Sequence, residues 1–307
     1  MKQNVSSILI TGGTGYIGQN VAKTFVEKGF DVHIIARSTS NIKCFENFPQ
    51  IHMHHYDGNS ITLNNIVKKI KPTTIFHLAA ITFFDHSNHI PELIAANIQF
   101  GVYLLEAMKK NSCNHLVNTG TFTQHYNSMD YNPQSLYDAT KQAFQTIIDY
   151  FVGAYNFKVI TLKLVDVYGP NDSRKKILNL LTDAVISGKT LDISPAQQLL
   201  DLIYIDDVVN AYEIAHFNLQ QTNTPFHNKY FAATGHFISL KEVIELYSSL
   251  LGKEIPVNCG GRSYREREIM IPQIGEFLPE WQPKTSLKEG LQRLIFSNRS
   301  LAEESMK

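Results

Sequence analysis

Residues 8–18 read ILITGGTGYIG, an apolar run that breaks into four glycines within seven residues. Ser7 to Thr11 has the character of a short buried strand. GQNVAKTFVEKG (18–29) has that of an amphipathic helix, with Val21, Ala22, Phe25 and Val26 as its apolar face and Gly29 as its stop. Gly12, Gly15 and Gly18 therefore fall in the turn between strand and helix. The first permits a tight turn, the second lets backbone approach a diphosphate, and the third lets helix and strand pack closely. Free amides of the first helical turn then face the phosphates. A second strand, Val32 to Ala36, completes a dinucleotide-binding context. Gly12, Thr14, Gly15, Tyr16 and Ile17 are the expected contacts.

The end of that second strand reads IIARS. NAD sites commonly place an acid there for the adenosine ribose. Here Ala36 is followed by Arg37 and Ser38, and an arginine suits a 2′-phosphate. The expected cofactor is NADPH/NADP+, with NAD as the alternative. Asp57 and Gly58 fall where the adenine would lie. Leu78, Ala79 and Ala80 end the strand TIFHLAA with small residues that allow cofactor to lie against backbone. Asn97 is a polar position in an apolar-patterned helix. Leu164 and Val165, at the end of KVITLKLV, complete the expected cofactor set.

Strands and helices alternate through residue 168, which predicts an α/β fold with a Rossmann-type, doubly wound parallel sheet. The expected division is a dinucleotide-binding domain over 1–168, with a returning segment near 198–220. Residues 169–197 and 221–307 would form most of a smaller, interleaved substrate-binding domain. Lys and Arg total 28 against 28 Asp and Glu, which gives no overall attraction to nucleic acid or membrane. Three scattered cysteines argue against a disulfide framework. No apolar run approaches the ~18 residues of a spanning helix, and the N-terminus lacks the pattern of a signal peptide. A cytoplasmic location is expected. The scattered histidines, His52, His54 and His55 among them, read as structural or surface groups, and no metal is expected.

SLYDATKQAF places Tyr137 and Lys141 four residues apart on one helix face. A tyrosine pKa of about 10 is too high for efficient proton transfer at neutral pH, and a nearby ammonium lowers it. Thr119, at the end of the strand in NTGT, offers a hydroxyl for a substrate carbinol or carbonyl oxygen. Thr121 either contacts substrate or caps the local turn.

TGGTGYIG, LAA, NTGT, YDATK, LVDVYGP, DLIYIDDVVNAY and EWQPKTSLKEGL together resemble the extended short-chain dehydrogenase/reductase family acting on nucleotide sugars, the NAD-dependent epimerase/dehydratase family. Leu200 stands where the family's RDFIYVDDV element has arginine. The family's dehydratases carry TDE, and Thr119-Gly120-Thr121 lacks both acids. Within the family the chain is most similar to the CDP-abequose synthase-like 4-ketosugar reductases. That resemblance implies an NADPH-dependent reductase of a CDP- or dTDP-linked 4-keto-6-deoxy or 4-keto-3,6-dideoxy hexose. Hydride would go to C4, with Tyr137 as proton donor, Thr119 on the same oxygen and Lys141 poising the tyrosine, in deoxysugar synthesis for surface polysaccharide. It also implies Arg265 at the substrate diphosphate, with Arg262 and Arg267 as competitors, and a homodimer through the helices near 91–110 and 136–153. The alternatives are an NAD-dependent nucleotide-sugar 4-epimerase and a non-enzymatic NADP(H) sensor.

Overall fold

The computed structural model describes residues 6–82 and 89–304. The first half alternates strictly. It runs β1 (Ser7–Thr11), α1 (Tyr16–Glu27), β2 (Asp31–Ala36), β3 (His52–His55), α2 (Ser60–Ile70), β4 (Thr74–His77), α3 (Ile90–Ile94), α4 (Phe100–Lys110), β5 (His115–Thr121), α5 (Leu136–Tyr155) and β6 (Lys158–Leu164). Shorter elements follow: β7 (Asp166–Tyr168), α6 (Ile177–Ser187), β8 (Leu191–Ile193), β9 (Leu199–Leu200) and β10 (Leu202–Tyr204). The chain closes with α7 (Ile205–Gln220), β11 (Phe226–Ala232), β12 (Ile238–Ser239), α8 (Leu240–Leu251), β13 (Val257–Cys259) and α9 (Leu287–Glu304).

Seven strands form one parallel sheet in the order β11-β6-β5-β4-β1-β2-β3. The order reverses between β1 and β4, which opens a crevice at their carboxyl ends where an open α/β sheet binds its ligand. The fold is thus the doubly wound Rossmann type with a smaller C-terminal part. Strand alternation divides the core. Ile8 and Ile10 face α1 and α7, whereas Leu9 faces α2, α4 and α5. Burying each such side chain contributes about 1.5–3 kcal/mol. β6 is buried along its whole length, as a central parallel strand must be.

β11 joins the sheet from late in the chain, pairing all seven of its residues with β6. Small ribbons β7–β10, β8–β13 and β9–β12 lie beyond the main sheet. Asp201 anchors this region by accepting from the Thr234 amide and hydroxyl and the Gly235 amide at 2.7–2.9 Å. Asp207 accepts from the backbone amides of Lys284 (2.9 Å) and Thr285 (3.0 Å), and the Trp281 indole donates to its carbonyl. Asp207 thereby latches the closing segment before α9 onto α7.

The long helix read from residue 91 onward is interrupted. Between α3 and α4, Ala95–Gln99 forms a single π turn, the kind of irregularity that clusters at functional sites. Asn97 sits within it.

Candidate active site

The glycine turn is built for close backbone approach. Gly12 has φ +70°, and a Cβ there would lie 2.5 Å from the Ala79 nitrogen. A Cβ on Gly18 would lie 2.3 Å from the Gly12 carbonyl oxygen. Neither position has room for any residue larger than glycine. Gly15 is the N-cap of α1, with no side-chain cap bond and no acid in the first turn. The positive end of α1 is thus left open at the crevice, and the cradle fits a dinucleotide diphosphate. Thr11 braces the turn from below, its hydroxyl 2.8 Å from His77 Nδ1 and 3.3 Å from the Ala79 amide.

Tyr16, in the same turn, is 6% exposed, with the Arg174 guanidinium 4.6 Å from its ring centroid. Arg174 is held by Asp172 through two nitrogens at 2.7 Å and by the Val167 carbonyl at 3.0 Å. The sequence reading did not single out this arginine.

At the adenine end, Arg37 and Ser38 are exposed. The Arg37 amide donates to Ser40 Oγ at 3.0 Å, and among the described residues its guanidinium makes no bond. Asp57 accepts from the Asn59 amide and the Thr62 hydroxyl, and these bonds hold its carboxyl below the usual range. Gly58 beside it has φ +91° with open space around it. Leu78 and Ala79 are half-buried and Ala80 exposed at the crevice, while Leu164 and Val165 are each 6% exposed.

Asn97 is buried. Its Oδ1 accepts from the Ile81 amide (2.8 Å), and its Nδ2 donates to the Ile81 carbonyl (3.0 Å) and to Thr140 Oγ1 (3.0 Å). It pins the chain after β4 to α5, the helix that carries the tyrosine and lysine. Gly101 lets α4 press on α5, since a Cβ there would meet the Phe144 ring.

Tyr137 and Lys141 lie on the first turns of α5, which is capped by Ser135. Lys141 is 4% exposed, and burial lowers its pKa to about 8 against the opposing pull of Asp138. The Tyr137 phenol is raised above its ordinary value, first by burial and then by the Asp138 carboxylate. Within the protein, desolvation outweighs the lowering that the sequence reading attributed to Lys141.

The two threonines separate. The Thr119 hydroxyl lies 2.5 Å from the hydroxyl of Tyr212, a fully buried residue of α7. Thr121, at the strand end, has its hydroxyl 2.6 Å from that of Thr123, which in turn donates to Asp138. Sequence reasoning missed Thr123, Asp138 and Tyr212. For the first two the visible signal was the acid directly after the tyrosine in SLYDATK.

Arg265 is exposed, and its amide donates to Glu268 Oε2 at 3.4 Å. Arg267 reaches across to the loop after β5, donating to Asn132 Oδ1 at 2.6 Å with its guanidinium 4.1 Å from the Tyr126 ring centroid. Among the described residues no group of three or more His, Cys, Asp or Glu side chains could hold a metal ion. No described helix is long and apolar enough to cross a membrane.

A glycine cradle at the sheet's reversal point, with a Tyr-Lys pair on α5, has the features of a dinucleotide-dependent enzyme, and residues 8–227 match the NAD dependent epimerase/dehydratase family. The chain belongs to that family. It is 28% identical to the CDP-abequose synthase of Yersinia pseudotuberculosis, an alignment covering 92% of this chain and 96% of that one. Its fold matches the UDP-glucose 4-epimerase of Thermus thermophilus in complex with NAD (TM-score 0.81, 22% identity, 95% and 99% of the two chains). It also matches the dTDP-glucose 4,6-dehydratase of Bacillus anthracis in complex with NAD (TM-score 0.83, 21% identity, 99% and 100%).

Two expectations are corrected by these findings. The cofactor expected from Arg37 and Ser38 was NADPH/NADP+, but the family is NAD dependent and both of these like-folded structures hold NAD. The residue type alone was read as a 2′-phosphate pocket, whereas Arg37 is exposed and no other described group fixes its guanidinium there. The NADPH-consuming 4-ketoreductase falls with it, because the family and its like-folded members are NAD-using epimerases and dehydratases.

Proposed function

We propose that the chain is an NAD-dependent nucleotide-sugar 4-epimerase. What supports this reading is that a member of an NAD-dependent family carries both the open glycine cradle and, on α5, Tyr137 and Lys141. Bound NAD supplies reversible hydride acceptance at the sugar C4. The backbone of Gly12, Gly15, Tyr16 and Ile17 holds the diphosphate, and Lys141 holds the nicotinamide ribose. Tyr137, as a phenolate that Lys141 would have to hold against the burial that raises it, would take the C4 hydroxyl proton as hydride leaves and would return it when hydride comes back to the opposite ring face. Thr121 meets the same sugar oxygen. Thr119 stands behind the site with its hydroxyl on Tyr212. Arg265, with Arg267 as its competitor, faces the sugar-nucleotide diphosphate from the smaller domain.

The substrate is a CDP-, dTDP- or UDP-linked hexose, and the enzyme works in the cytoplasm as a homodimer. The test incubates the purified protein with UDP-glucose and with CDP- and dTDP-glucose, without added reductant, and reads C4 configuration by NMR. Inversion at C4 that is abolished by Tyr137→Phe supports the reading. Absence of inversion on every donor overturns it.

A further inference from the structure

Three contacts tie Arg267 to the loop between β5 and α5. Its guanidinium donates to Asn132 Oδ1 at 2.6 Å and lies 4.1 Å from the Tyr126 ring centroid, and its carbonyl accepts from Gln134 Nε2 at 2.8 Å. The Tyr126 carbonyl, which can only accept, lies 2.7 Å from Asn132 Nδ2. Asn132 therefore turns its Oδ1 to the arginine, which can only donate. The loop is braced from its other side as well. The Tyr126 amide donates to the Asn132 carbonyl at 2.7 Å, and the Asn132 amide to the Gln124 carbonyl at 2.9 Å. His125 Nδ1 lies 3.1 Å from the Asp130 carbonyl and so carries the ring proton. Burial and Lys163 lower the pKa of this imidazole, and its bare Nε2 accepts from the amine of the buried Lys163 at 2.6 Å. Thr121 stands before the loop and Tyr137 after it. Arg267 itself belongs to a turn in which the Glu268 amide donates to the Arg265 carbonyl at 3.1 Å.

We propose that Arg267 is a positioning residue that clamps the Arg265–Glu268 turn onto the Tyr126–Gln134 loop. The clamp sets the span between the arginine that holds the sugar-nucleotide diphosphate and Tyr137, which meets the sugar. This inference rests on the roles given above to Arg265 and Tyr137, and it takes Arg267 out of the competition for the diphosphate. A guanidinium with one face on a tyrosine ring and an N–H on an amide oxygen is already engaged, in the planar geometry that arginine favours. The loop it grips joins the strand that ends in Thr121 to the helix that carries Tyr137, so the grip is transmitted to both ends. A sugar held by its diphosphate swings with its holder, and a misplacement of about 1 Å at the reacting carbon costs as much as ~100-fold in rate.

The test has two arms, both on the NAD-loaded protein. The first follows backbone amide exchange by mass spectrometry and needs no substrate. In Arg267→Ala, segments 124–134 and 262–270 are both expected to exchange at least ~5-fold faster, with α1 unchanged. Asn132→Ala is expected to quicken 262–270 in return, and Tyr126→Phe, which keeps the ring, stays within ~2-fold of the wild type. Faster exchange confined to the segment that carries each substitution overturns the proposal. The second arm measures binding of UDP, CDP and dTDP by calorimetry. Arg267→Ala and Asn132→Ala are each expected to weaken the nucleotide that binds the wild type by at least ~5-fold, and the double variant is no worse than either alone. A loss in Arg267→Ala that Asn132→Ala does not share makes Arg267 a direct ligand of the diphosphate and overturns the clamp. If none of the three nucleotides binds the wild type, the substrate class proposed above fails, and the exchange arm alone decides the clamp.

Discussion

Thr119 and Tyr212 are 93 residues apart in sequence and 2.5 Å apart through their hydroxyls, a bond that closes the space between β5 and α7 directly behind the strand ends. Tyr212 packs on Phe76 and is fully buried. Removing the Thr119 hydroxyl strands that of Tyr212 away from water, whereas Thr119 itself is half-buried. Thr119→Val is expected to lower stability by about 1–3 kcal/mol while turnover stays within ~3-fold, read by urea denaturation. Tyr212→Phe costs about 0.5–1.5 kcal/mol. Thr121→Val removes the side-chain cap of the turn after β5, which costs about 0.5–2 kcal/mol, and in addition kcat is reduced by at least ~10-fold, a typical cost of losing one positioned group.

The glycine turn makes a steric prediction. A Cβ on Gly18 would lie 2.3 Å from the Gly12 carbonyl oxygen, which is backbone and cannot swing aside. Gly18→Ala is expected to cost about 1–3 kcal/mol through strain and to abolish NAD binding, measured by thermal shift with and without NAD. Gly29→Ala loses stability only through its φ of +84°, as its Cβ meets nothing, and it retains NAD binding.

Trp281 is the only tryptophan and is 6% exposed. Its indole donates to the Asp207 carbonyl, and the Asp207 carboxylate holds the amides of Lys284 and Thr285. Asp207→Ala frees the amides of Lys284 and Thr285 and removes their anchor, and the closing segment is expected to detach. Intrinsic fluorescence then shifts to the red, and stability falls by about 1–3 kcal/mol. An unshifted emission spectrum would show that the carboxylate is not the latch.

Buried histidines set the acid limit. Desolvation lowers the pKa of His54, His216 and His227 to about 4 and that of His77 to about 3. In the unfolded chain they titrate near 6.5. Above that pH both states are neutral and these groups leave stability independent of pH. As pH falls from about 6.5 towards 4, the unfolded chain binds protons that the folded one refuses, and stability drops. Denaturation midpoints measured across pH 4–8 are expected to rise to about 7 and then level off. His216→Gln, which keeps a partner for Thr74, reduces the slope.

Much of this was legible in the sequence because it is local. The glycine turn, the strand–helix alternation and the Tyr137–Lys141 spacing depend on residues within a few positions of one another. What escaped depends on distance. The Thr119–Tyr212 bond joins β5 to α7, β11 enters the sheet from residue 226, and Arg267 crosses to Asn132. The π turn at Ala95–Gln99 carries no compositional mark. Asp138 was visible but silent, since only the fold brings it against Thr123. The cofactor was misjudged because a residue type was read without its exposure: Arg37 has the right chemistry for a phosphate and lies in solvent.

The most direct test of C4 epimerisation follows the hydrogen itself. UDP-glucose deuterated at C4 is incubated with the protein as purified, and the product is examined by NMR. An epimerase that lends hydride to bound NAD and takes it back predicts UDP-galactose with deuterium retained at C4. UDP-galactose with protium at C4, or unchanged UDP-glucose with CDP- and dTDP-glucose equally unchanged alongside full occupancy by NAD, would contradict the account.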